Sequence, residues 1–389
     1  MKLHPVSGDD PRDILPALRA AVLGAGPALG LGMTDADARG GGVEEVPAGT
    51  AAVITTSGST GVPKRVVLSR SALTASALAT AARIGDGAWL LALPASYVAG
   101  LQVLVRSLVA DRQPGLLSGP FQPQAFASAA LMLVSSENGR RVPTFTSLVP
   151  AQLVRLLDAA EHDDAVRAAL RSFAAILIGG QALPAAVLER AESAGARIVR
   201  TYGATETSGG CVYDGVPLDG VGVRIEGGEV QLSGPTLAEG YLGEPARTDA
   251  SFVMAPDGTR WYRTGDAGLV EDGVLRVRGR LDNVIVSGGI NVSLDRVERV
   301  VRSVAGLHSA VVVGVPDDRW GEASVIVAAR GEALRRSEAT QLAEARAAVA
   351  AEIGAHARPS RLILVDEIAA LPSGKPDREA IRRLVAGHR

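Results

Sequence analysis

Residues 55–64, which read Thr-Thr-Ser-Gly-Ser-Thr-Gly-Val-Pro-Lys, are the most informative stretch of this chain. They follow a short apolar run at residues 51–55 and combine hydroxyl side chains with two glycines and a lysine. Glycines let backbone N–H groups approach an anion, hydroxyls donate hydrogen bonds to phosphate oxygens, and lysine adds positive charge. A strand that enters such a loop is a common way to build a phosphate site. We therefore predict that this loop binds phosphate.

The spacing within the loop excludes a Walker A P-loop. Gly58 and Gly61 are three residues apart, a P-loop needs five, and Arg65 stands where it would have serine or threonine. The competing interpretation is a solvated turn. Lysine usage argues against it, because Lys2, Lys64 and Lys375 are the only lysines among 40 basic residues. A lysine kept in an arginine-rich chain indicates a need for a compact point charge.

Composition restricts the classes of function. A length of 389 residues predicts two domains, and 47% hydrophobic with 21% charged residues is typical of a globular protein. The net charge of −2 argues against a nucleic-acid partner. The single cysteine, Cys211, excludes a disulfide framework and a cysteine zinc site, and we expect a buried, inert thiol. The five histidines are scattered, which argues against a histidine metal site or a Ser-His-Asp triad.

The chain shows no signal for membrane insertion or export. Residues 1–13 are polar and acidic where a signal peptide needs an apolar region. The charge-free stretch 87–105 contains Pro94 and Gly100, and we interpret it as a buried strand, a turn and the start of a helix. We expect a cytoplasmic protein.

Strand-like and helix-like segments alternate between residues 51 and 201, which predicts largely parallel sheets covered by helices. The clearest of them are a helix at 71–82 and strands at 174–178 and 197–201. Residues 221–277 change to short alternating runs, typical of a twisted antiparallel subdomain. Residues 1–50 are predicted to be irregular.

A glycine-rich polar stretch at residues 279–290 indicates a boundary. Beyond it we predict a compact α+β unit with a helix capped by Ser293 and a last helix capped by Asp377. Its remaining predicted elements are strands at 310–315, 323–328 and 362–365 and a helix near 338–353. The fold class is therefore α/β and α+β: a large N-terminal domain of helix-covered, mostly parallel sheets with a small twisted β subdomain, followed by a small α+β domain.

Four further motifs follow the phosphate loop, and together the five resemble the ordered motifs of the adenylate-forming superfamily of acyl-CoA synthetases, luciferases and peptide-synthetase adenylation domains. They are Tyr202–Thr207 (YGATET), Tyr262–Asp266 (YRTGD), Gly279–Asp282 (GRLD) with Ser287–Gly289 (SGG), and Leu371–Lys375 (LPSGK). The resemblance covers the chain from about residue 50. It implies an adenylation domain at 1–281, a mobile domain at 282–389, and the use of ATP, Mg²⁺ and coenzyme A.

The resemblance also implies roles for individual residues. Lys375 would bridge the substrate carboxylate and the α-phosphate of ATP, Thr205 would lie near that phosphate, and Glu206 would hold Mg²⁺. Asp266 would accept hydrogen bonds from the ribose hydroxyls, assisted by Arg280. The ATP site would be completed by residues of the loop, of the adenine edge and of the stacking motif: Thr55, Thr56, Ser57, Gly58, Ser59, Thr60, Lys64, Gly180, Gln181, Tyr202 and Gly203.

Asp282 is expected to be the hinge about which the C-terminal domain rotates after adenylation. Rotation would withdraw Lys375 and present Ser287, Gly288 and Gly289 to coenzyme A. One site would in this way serve two different transition states in turn.

Three segments resemble the o-succinylbenzoate–CoA ligases of menaquinone biosynthesis, particularly the compact actinobacterial ones: residues 93–102, 146–150 and 209–215. The resemblance implies that the succinyl carboxylate of o-succinylbenzoate is adenylated. In one departure, Ser96 stands where the family pattern has histidine. The residues expected to line the acid pocket are Ser96, Tyr97, Thr146, Ser147, Ser208, Gly209 and Gly210.

The motifs leave three alternatives open. Another aryl- or acyl-CoA ligase would share every motif, and a stand-alone adenylation enzyme would pass its product to a carrier protein. A non-catalytic nucleotide-binding protein on this fold would be expected to lack Lys375 or Glu206. The predicted partners are a small carboxylic acid, ATP and CoA, and we count a second copy of the chain, in a homodimer, among the candidates.

Overall fold

The computed structural model describes most of the chain, namely residues 1–6, 8–33, 45–57, 63–117, 119–330, 337–371 and 374–388. Gly58, Ser59 and Thr60 of the predicted phosphate loop lie outside the described residues, as does the side chain of Ser57. So do Pro372 and Ser373 beside Lys375.

The strands, numbered along the chain, are β1 (Leu3–Pro5), β2 (Ala28–Leu31), β3 (Thr50–Ser57), β4 (Pro63–Ser69), β5 (Ala88–Leu91), β6 (Gly115–Leu116), β7 (Ser136–Glu137), β8 (Arg140–Arg141), β9 (Thr144–Leu148), β10 (Ala175–Ile178), β11 (Ile198–Ala204), β12 (Gly209–Tyr213), β13 (Val216–Pro217), β14 (Gly222–Glu226), β15 (Glu229–Ser233), β16 (Gly240–Tyr241), β17 (Phe252–Met254), β18 (Arg260–Glu271), β19 (Val274–Arg280), β20 (Val284–Ser287), β21 (Ile290–Ser293), β22 (Val311–Asp317), β23 (Gly321–Ala329) and β24 (Arg361–Val365). The helices are α1 (Pro11–Val22), α2 (Arg70–Ile84), α3 (Val98–Val109), α4 (Pro123–Met132), α5 (Pro150–Ala160), α6 (Asp164–Ser172), α7 (Ala185–Ser193), α8 (Pro245–Ser251), α9 (Leu294–Val301), α10 (Glu338–Glu352) and α11 (Arg378–Gly387), with short 3-10 turns at Thr205–Thr207 and Ala355–Ala357.

The prediction that residues 1–50 are irregular was wrong. They contain β1, α1 and β2, and β1 and β2 continue in parallel into β3. The start of α1 follows helix rules, because Asp10 caps the helix through the backbone N–H of Arg12 and Pro11 occupies the first turn. Ile14 and Leu18, four residues apart, are fully buried.

The phosphate loop is shorter than predicted and joins two antiparallel strands. β3 extends through Thr56 to Ser57, and β4 begins at Pro63, so that Thr56 lies opposite Lys64. The β-branched residues Thr55 and Thr56 favour this extension of the strand. The sheet that contains this hairpin has the order β1-β2-β3-β4-β16.

A seven-stranded sheet of order β13-β12-β11-β10-β9-β5-β6 forms the centre of the N-terminal part. The pairings from β6 to β11 are parallel and the two beyond β11 are antiparallel. Helices α1, α2 and α3 pack between this sheet and the first one, and α4 to α7 cover its opposite face. The predicted helix-covered, mostly parallel sheet is confirmed.

Two further five-stranded sheets follow, and β7 and β8 form a separate antiparallel pair. Strands β14, β15, β17, β18 and β19 form the predicted antiparallel subdomain. After it, β20 to β24 form one sheet with α9, α10 and α11, the predicted α+β unit. The side chains of Ser293 and Asp377 cap α9 and α11 as predicted.

The buried apolar residues form clusters that do not mix residues from before and after about position 280. Four clusters contain residues up to Leu275, and two contain residues from Ile285 onward. Each side thus has its own hydrophobic core, which is what an independently moving unit requires. Among the described residues, no helix is both long and apolar enough to cross a bilayer.

Candidate active site

Glu206 lies at the centre of the site, on the 3-10 turn that follows β11. It is 3% exposed, although an acidic residue in a loop is an unlikely member of a protein core. Its Oε1 accepts a hydrogen bond from the Lys64 ammonium and another, 2.9 Å long, from the Tyr241 hydroxyl. Burial of this carboxylate is tolerated because a cation and a hydrogen-bond donor compensate its lost hydration.

Lys375 reaches the same region from the C-terminal unit. A β-carbon placed on Gly180 would lie 3.4 Å from Lys375 Cε, which locates the lysine against the turn after β10. Part of the lysine is exposed to solvent, but its ammonium group is largely desolvated, and this desolvation lowers the pKa of the group. The charge of Lys64 lowers this pKa further, whereas the carboxylates of Glu206 and Asp266 raise it. Two lysines and two carboxylates from distant parts of the chain therefore act on one another.

Asp266 is held by an aromatic and a cationic neighbour. The Tyr202 hydroxyl donates a hydrogen bond of 2.6 Å to Asp266 Oδ2, and Arg280 Nη1 lies 3.4 Å from Oδ1. Burial raises the pKa of Asp266, and both contacts act in the opposite direction. Arg280 also donates to the Thr264 carbonyl at 2.6 Å and to both carboxylate oxygens of Asp282 at 2.9 Å.

The backbone around the YGATET motif is tightly packed. A β-carbon on Gly203 would lie 2.2 Å from the Gly209 carbonyl oxygen, so glycine is required at this bulge between β11 and β12. Ser208 has φ = 54°, in the left-handed region that non-glycine residues rarely adopt. Thr205 opens the turn that presents Glu206. The conformation brings this turn back toward β4.

Two hydroxyls expected in the acid pocket donate hydrogen bonds to backbone carbonyls instead. Thr146 donates to the Leu90 carbonyl at 2.9 Å, and Ser208 donates to the Thr236 carbonyl at 2.8 Å. Ser96 and Ser147 are 8% and 6% exposed. The Ser96 backbone N–H, not its side chain, binds Asp9 at 2.6 Å, and Asp9 is a secondary reason, after burial, why the pKa of nearby Tyr97 is raised.

Sequence reasoning missed the buried cation beside this region. Arg106 is 6% exposed, lies 4.8 Å from the Trp89 ring centroid, and donates to the Tyr213 hydroxyl at 3.3 Å. Its Nε has no partner among the described residues, and burial lowers its pKa. One face of α3 carries Val98, Gln102 and Arg106 at spacings of four residues, a row of increasing polarity on an otherwise apolar helix. This spacing is visible in the sequence and could have predicted a polar face on α3.

The same row faces the expected acid pocket. A β-carbon on Gly209 would lie 3.4 Å from Gln102 Cγ and 3.8 Å from Val98 Cγ2. Gln102 donates to the Leu73 carbonyl at 3.3 Å, but its buried Oε1 has no partner among the described residues. The buried Gln102 side chain therefore lies opposite Gly209, and the buried Arg106 follows one turn later on the same helix.

Two backbone hydrogen bonds flank Asp282, the predicted hinge. The Leu281 N–H donates to the Gly265 carbonyl at 2.8 Å, which fastens Leu281 to the N-terminal part. The Asn283 carbonyl accepts from the Leu294 N–H at 3.0 Å, which fastens Asn283 to α9. Asp282 is the residue between these two anchors.

Ser287, Gly288 and Gly289 form the turn between β20 and β21. The Gly288 N–H donates to the Trp320 carbonyl at 2.8 Å, and a β-carbon on Gly288 would lie 3.0 Å from the Trp320 ring. Both glycines have positive φ, and Ser287 is buried.

The described residues contain no group of three or more histidine, cysteine, aspartate or glutamate side chains arranged to hold a metal ion. Magnesium, however, is often held by one or two carboxylates together with substrate phosphates. The single buried carboxylate of Glu206 fits that mode, and the Lys64 ammonium beside it shows that the position accepts a cation.

A cleft of about 920 Å³ separates the two units. The N-terminal part contributes Arg12, Leu93 and Gln181, and the C-terminal unit contributes His308 and Ile368. The predicted adenine-side residue Gln181 therefore borders the space between the units.

Residues 22–242 match the AMP-binding enzyme family, and residues 296–375 match the AMP-binding enzyme C-terminal domain. The first match alone covers more than half of the chain. The chain belongs to the AMP-binding enzyme family. The resemblance that the five motifs indicated is confirmed.

Relatives within the AMP-binding enzymes match over most of their length. A probable 2-succinylbenzoate–CoA ligase of Mycobacterium tuberculosis (strain ATCC 25618 / H37Rv) is 40% identical over 99% of this chain and 98% of its own. The 2-succinylbenzoate–CoA ligase of Listeria monocytogenes serotype 4b (strain F2365) is 30% identical over 85% of this chain and 69% of its own. Among solved structures, a variant of Escherichia coli MenE with bound OSB-AMS is 27% identical, has a TM-score of 0.67, and aligns over 89% of this chain and 71% of that one.

Proposed function

We propose that this AMP-binding enzyme is a 2-succinylbenzoate–CoA ligase. It converts 2-succinylbenzoate, ATP and coenzyme A into 2-succinylbenzoyl-CoA, AMP and pyrophosphate through an acyl-AMP. The observation that carries the proposal is the convergence of Lys375, Lys64, Glu206 and Asp266 in one site, together with full-length similarity to a protein of that name.

In the first step a carboxylate oxygen attacks the α-phosphorus of ATP and pyrophosphate leaves. Two unit charges about 4 Å apart repel by about 4 kcal/mol at an effective dielectric constant of 20, so cations must offset this repulsion. Lys375 and Lys64 both supply positive charge near Glu206. When bound at Glu206, Mg²⁺ would neutralise phosphate charge, and Thr205 would contribute a hydroxyl at the same turn.

The ATP-binding residues form two groups around this charge cluster. Asp266 receives the ribose hydroxyls and is held in place by Arg280, while Tyr202 packs on the adenine beside Gly180 and Gln181. The phosphate-binding group includes Lys64 and the residues of the preceding segment, Thr55, Thr56, Ser57, Gly58, Ser59 and Thr60, and Gly203 completes the ATP site next to Tyr202. Thr55 supports this assignment, because its buried hydroxyl has no partner among the described residues.

The acid pocket lies between β12 and the polar row of α3. Gly209 and Gly210 contribute backbone to its wall, and Ser96, Tyr97, Thr146, Ser147 and Ser208 border it. The second carboxylate of 2-succinylbenzoate would pair with Arg106, whose buried guanidinium otherwise has a tyrosine as its polar partner. Such a pair satisfies both charges, whereas a monocarboxylic acid leaves the cation without an anion.

In the second step the CoA sulfur attacks the acyl carbonyl, the thiol proton is lost and AMP leaves. We propose that residues 282–389 rotate on residues 1–281 about Asp282 for this step, which brings Ser287, Gly288 and Gly289 to the site. The separate hydrophobic clusters and the two anchors around Asp282 support this division. We place the reaction in the cytoplasm, where the thiol of Cys211 stays reduced.

One experiment separates this proposal from its alternatives. We expect steady-state kinetics to show the highest kcat/KM for 2-succinylbenzoate among 2-succinylbenzoate, benzoate and short and medium fatty acids, with CoA-dependent release of AMP. A higher kcat/KM for a monocarboxylic acid would assign the protein to another acyl-CoA ligase. Pyrophosphate exchange without CoA turnover would favour a carrier-protein partner, and no exchange would indicate a non-catalytic protein.

A further inference from the structure

A carboxylate of the C-terminal unit reaches across the hinge to the N-terminal part. Asp295, in the first turn of α9, accepts a hydrogen bond of 2.6 Å at Oδ2 from the backbone N–H of Arg280. Its Oδ1 accepts a hydrogen bond of 2.7 Å from the Asn283 side-chain amide. One carboxylate therefore binds residues on both sides of Asp282.

The packing at this contact is specific to the observed orientation. A β-carbon on Gly279, where φ is +137°, would lie 2.6 Å from Asp295 Cβ. Glycine thus permits an approach that no other residue would allow without displacement. Gly279 and Arg280 end β19 and pair with β18, so both belong to the N-terminal part.

Rotation about Asp282 affects the two hydrogen bonds differently. Asn283 and Asp295 move together, because both are fastened to the start of α9. Arg280 stays behind, because its side chain binds the Thr264 carbonyl and lies against Asp266. The Arg280–Asp295 hydrogen bond must therefore break whenever the unit rotates.

Asp295 is also connected to the loop that carries Lys375. The Arg378 guanidinium lies 3.7 Å from Asp295 Oδ1 and donates to Glu298 at 2.7 Å and to the Val312 carbonyl at 2.8 Å. Arg378 follows Lys375 by three residues. A rigid set of contacts hence joins the hinge to the start of α11, beside the catalytic loop.

We infer that Asp295 is a positioning residue, a latch that holds the C-terminal unit in the orientation that places Lys375 in the adenylation site. The inference rests on the proposed two-step reaction for its kinetic consequence. Its structural consequence, a shift in domain orientation when the latch is removed, is independent of that reaction.

The kinetic test compares Asp295→Ala with Glu352→Ala. The control removes a carboxylate of the same unit that pairs with Arg299 at the surface, where an ion pair contributes little. Asp295→Ala is expected to slow pyrophosphate exchange about tenfold, the effect of losing one hydrogen bond to a charged group, and to leave thioester formation from supplied acyl-AMP unchanged or faster. Asp295→Asn retains one acceptor oxygen and should give an intermediate loss. Equal losses in both half-reactions would contradict the role of Asp295 as a latch.

The structural test measures the distance between paramagnetic labels on the two units by electron–electron resonance. Met132→Cys and Arg382→Cys provide exposed sites, and the native Cys211 is buried and stays unlabelled. In the ligand-free protein, Asp295→Ala should broaden or move the distance distribution, and Glu352→Ala should not. If wild type catalyses no exchange but the distribution still shifts, the proposed function fails and the latch stands. An unchanged distribution refutes the latch.

Discussion

The Lys64 ammonium contacts the Glu206 carboxylate across 142 residues of sequence. The lysine is 24% exposed and the carboxylate is almost completely buried. This pair joins the end of the phosphate-loop hairpin to the turn that follows β11. It joins an anionic and a cationic part of the site.

Replacement of Glu206 by glutamine is expected to abolish adenylation or raise its Mg²⁺ requirement. Glutamine can still accept from the Tyr241 hydroxyl, but Lys64 loses its counter-charge. We expect a melting temperature a few degrees lower, since breaking a buried pair leaves an uncompensated charge and one kcal/mol corresponds to about 2–4 °C in a domain of 150–250 residues.

The double variant Lys64→Met/Glu206→Gln provides the control for this prediction. Removal of both charges should restore most of the melting temperature without restoring pyrophosphate exchange. If Glu206→Gln retained normal metal dependence while losing stability, the role of Glu206 would be structural.

Lys375→Ala should slow acyl-AMP formation by roughly a hundredfold or more, the effect of removing one preorganised donor at a developing charge. Conversion of supplied acyl-AMP to the thioester should change far less, because the proposed rotation would withdraw the lysine before that step. Rapid-quench measurements of each half-reaction separate the two effects. Similar losses in both would contradict the assigned role.

The lowered pKa of Lys375 predicts an alkaline limb in the pH profile of kcat/KM for ATP. The protonated form is the active one, so activity should fall as pH rises through a pKa below that of an ordinary lysine. Bound ATP is anionic and should raise this pKa, which places the limb of kcat at higher pH. Lys375→Arg should remove the limb, since a guanidinium stays protonated. Persistence of the limb in that variant would assign it to another group.

Asp282→Pro should separate the two half-reactions. Proline fixes φ near −65° and thereby impedes rotation at the residue between the Leu281 and Asn283 anchors. Pyrophosphate exchange should continue while CoA transfer falls sharply. Asp282→Ala is the matched control, because it removes the contact with Arg280 but leaves the backbone free to rotate. Normal CoA turnover in the proline variant would locate the hinge elsewhere.

Arg106→Met should change substrate preference. It removes the buried cation and keeps an apolar side chain, so kcat/KM for 2-succinylbenzoate should fall by about thirtyfold or more, the cost of losing one partner of a buried charge pair. The analogue that lacks the aromatic carboxylate is the control substrate, and its kcat/KM should stay constant or rise. Equal losses for both acids would show that Arg106 supports the fold through Tyr213 and Trp89.

Local sequence patterns predicted the family motifs and most of the strands and helices. Capping by Ser293 and Asp377, the parallel and antiparallel regions, and the five ordered motifs all depend on residues close together in the chain. Helix α1 belongs to the same class, because its Asp10 cap and the spacing of Ile14 and Leu18 were present in residues predicted to be irregular. Local rules suffice for such features, since their hydrogen bonds and periodicities span only a few residues.

Which distant side chains lie in one site became visible only in the tertiary structure. The burial of Glu206 against Lys64, the position of Arg106 opposite β12, and the reach of Asp295 across the hinge depend on how sheets and helices pack. Each of these groups is charged, and the sequence does not show whether a charged side chain is solvated or buried. Packing sets its hydration and its partners, and therefore its pKa, its contribution to stability and its role in the reaction.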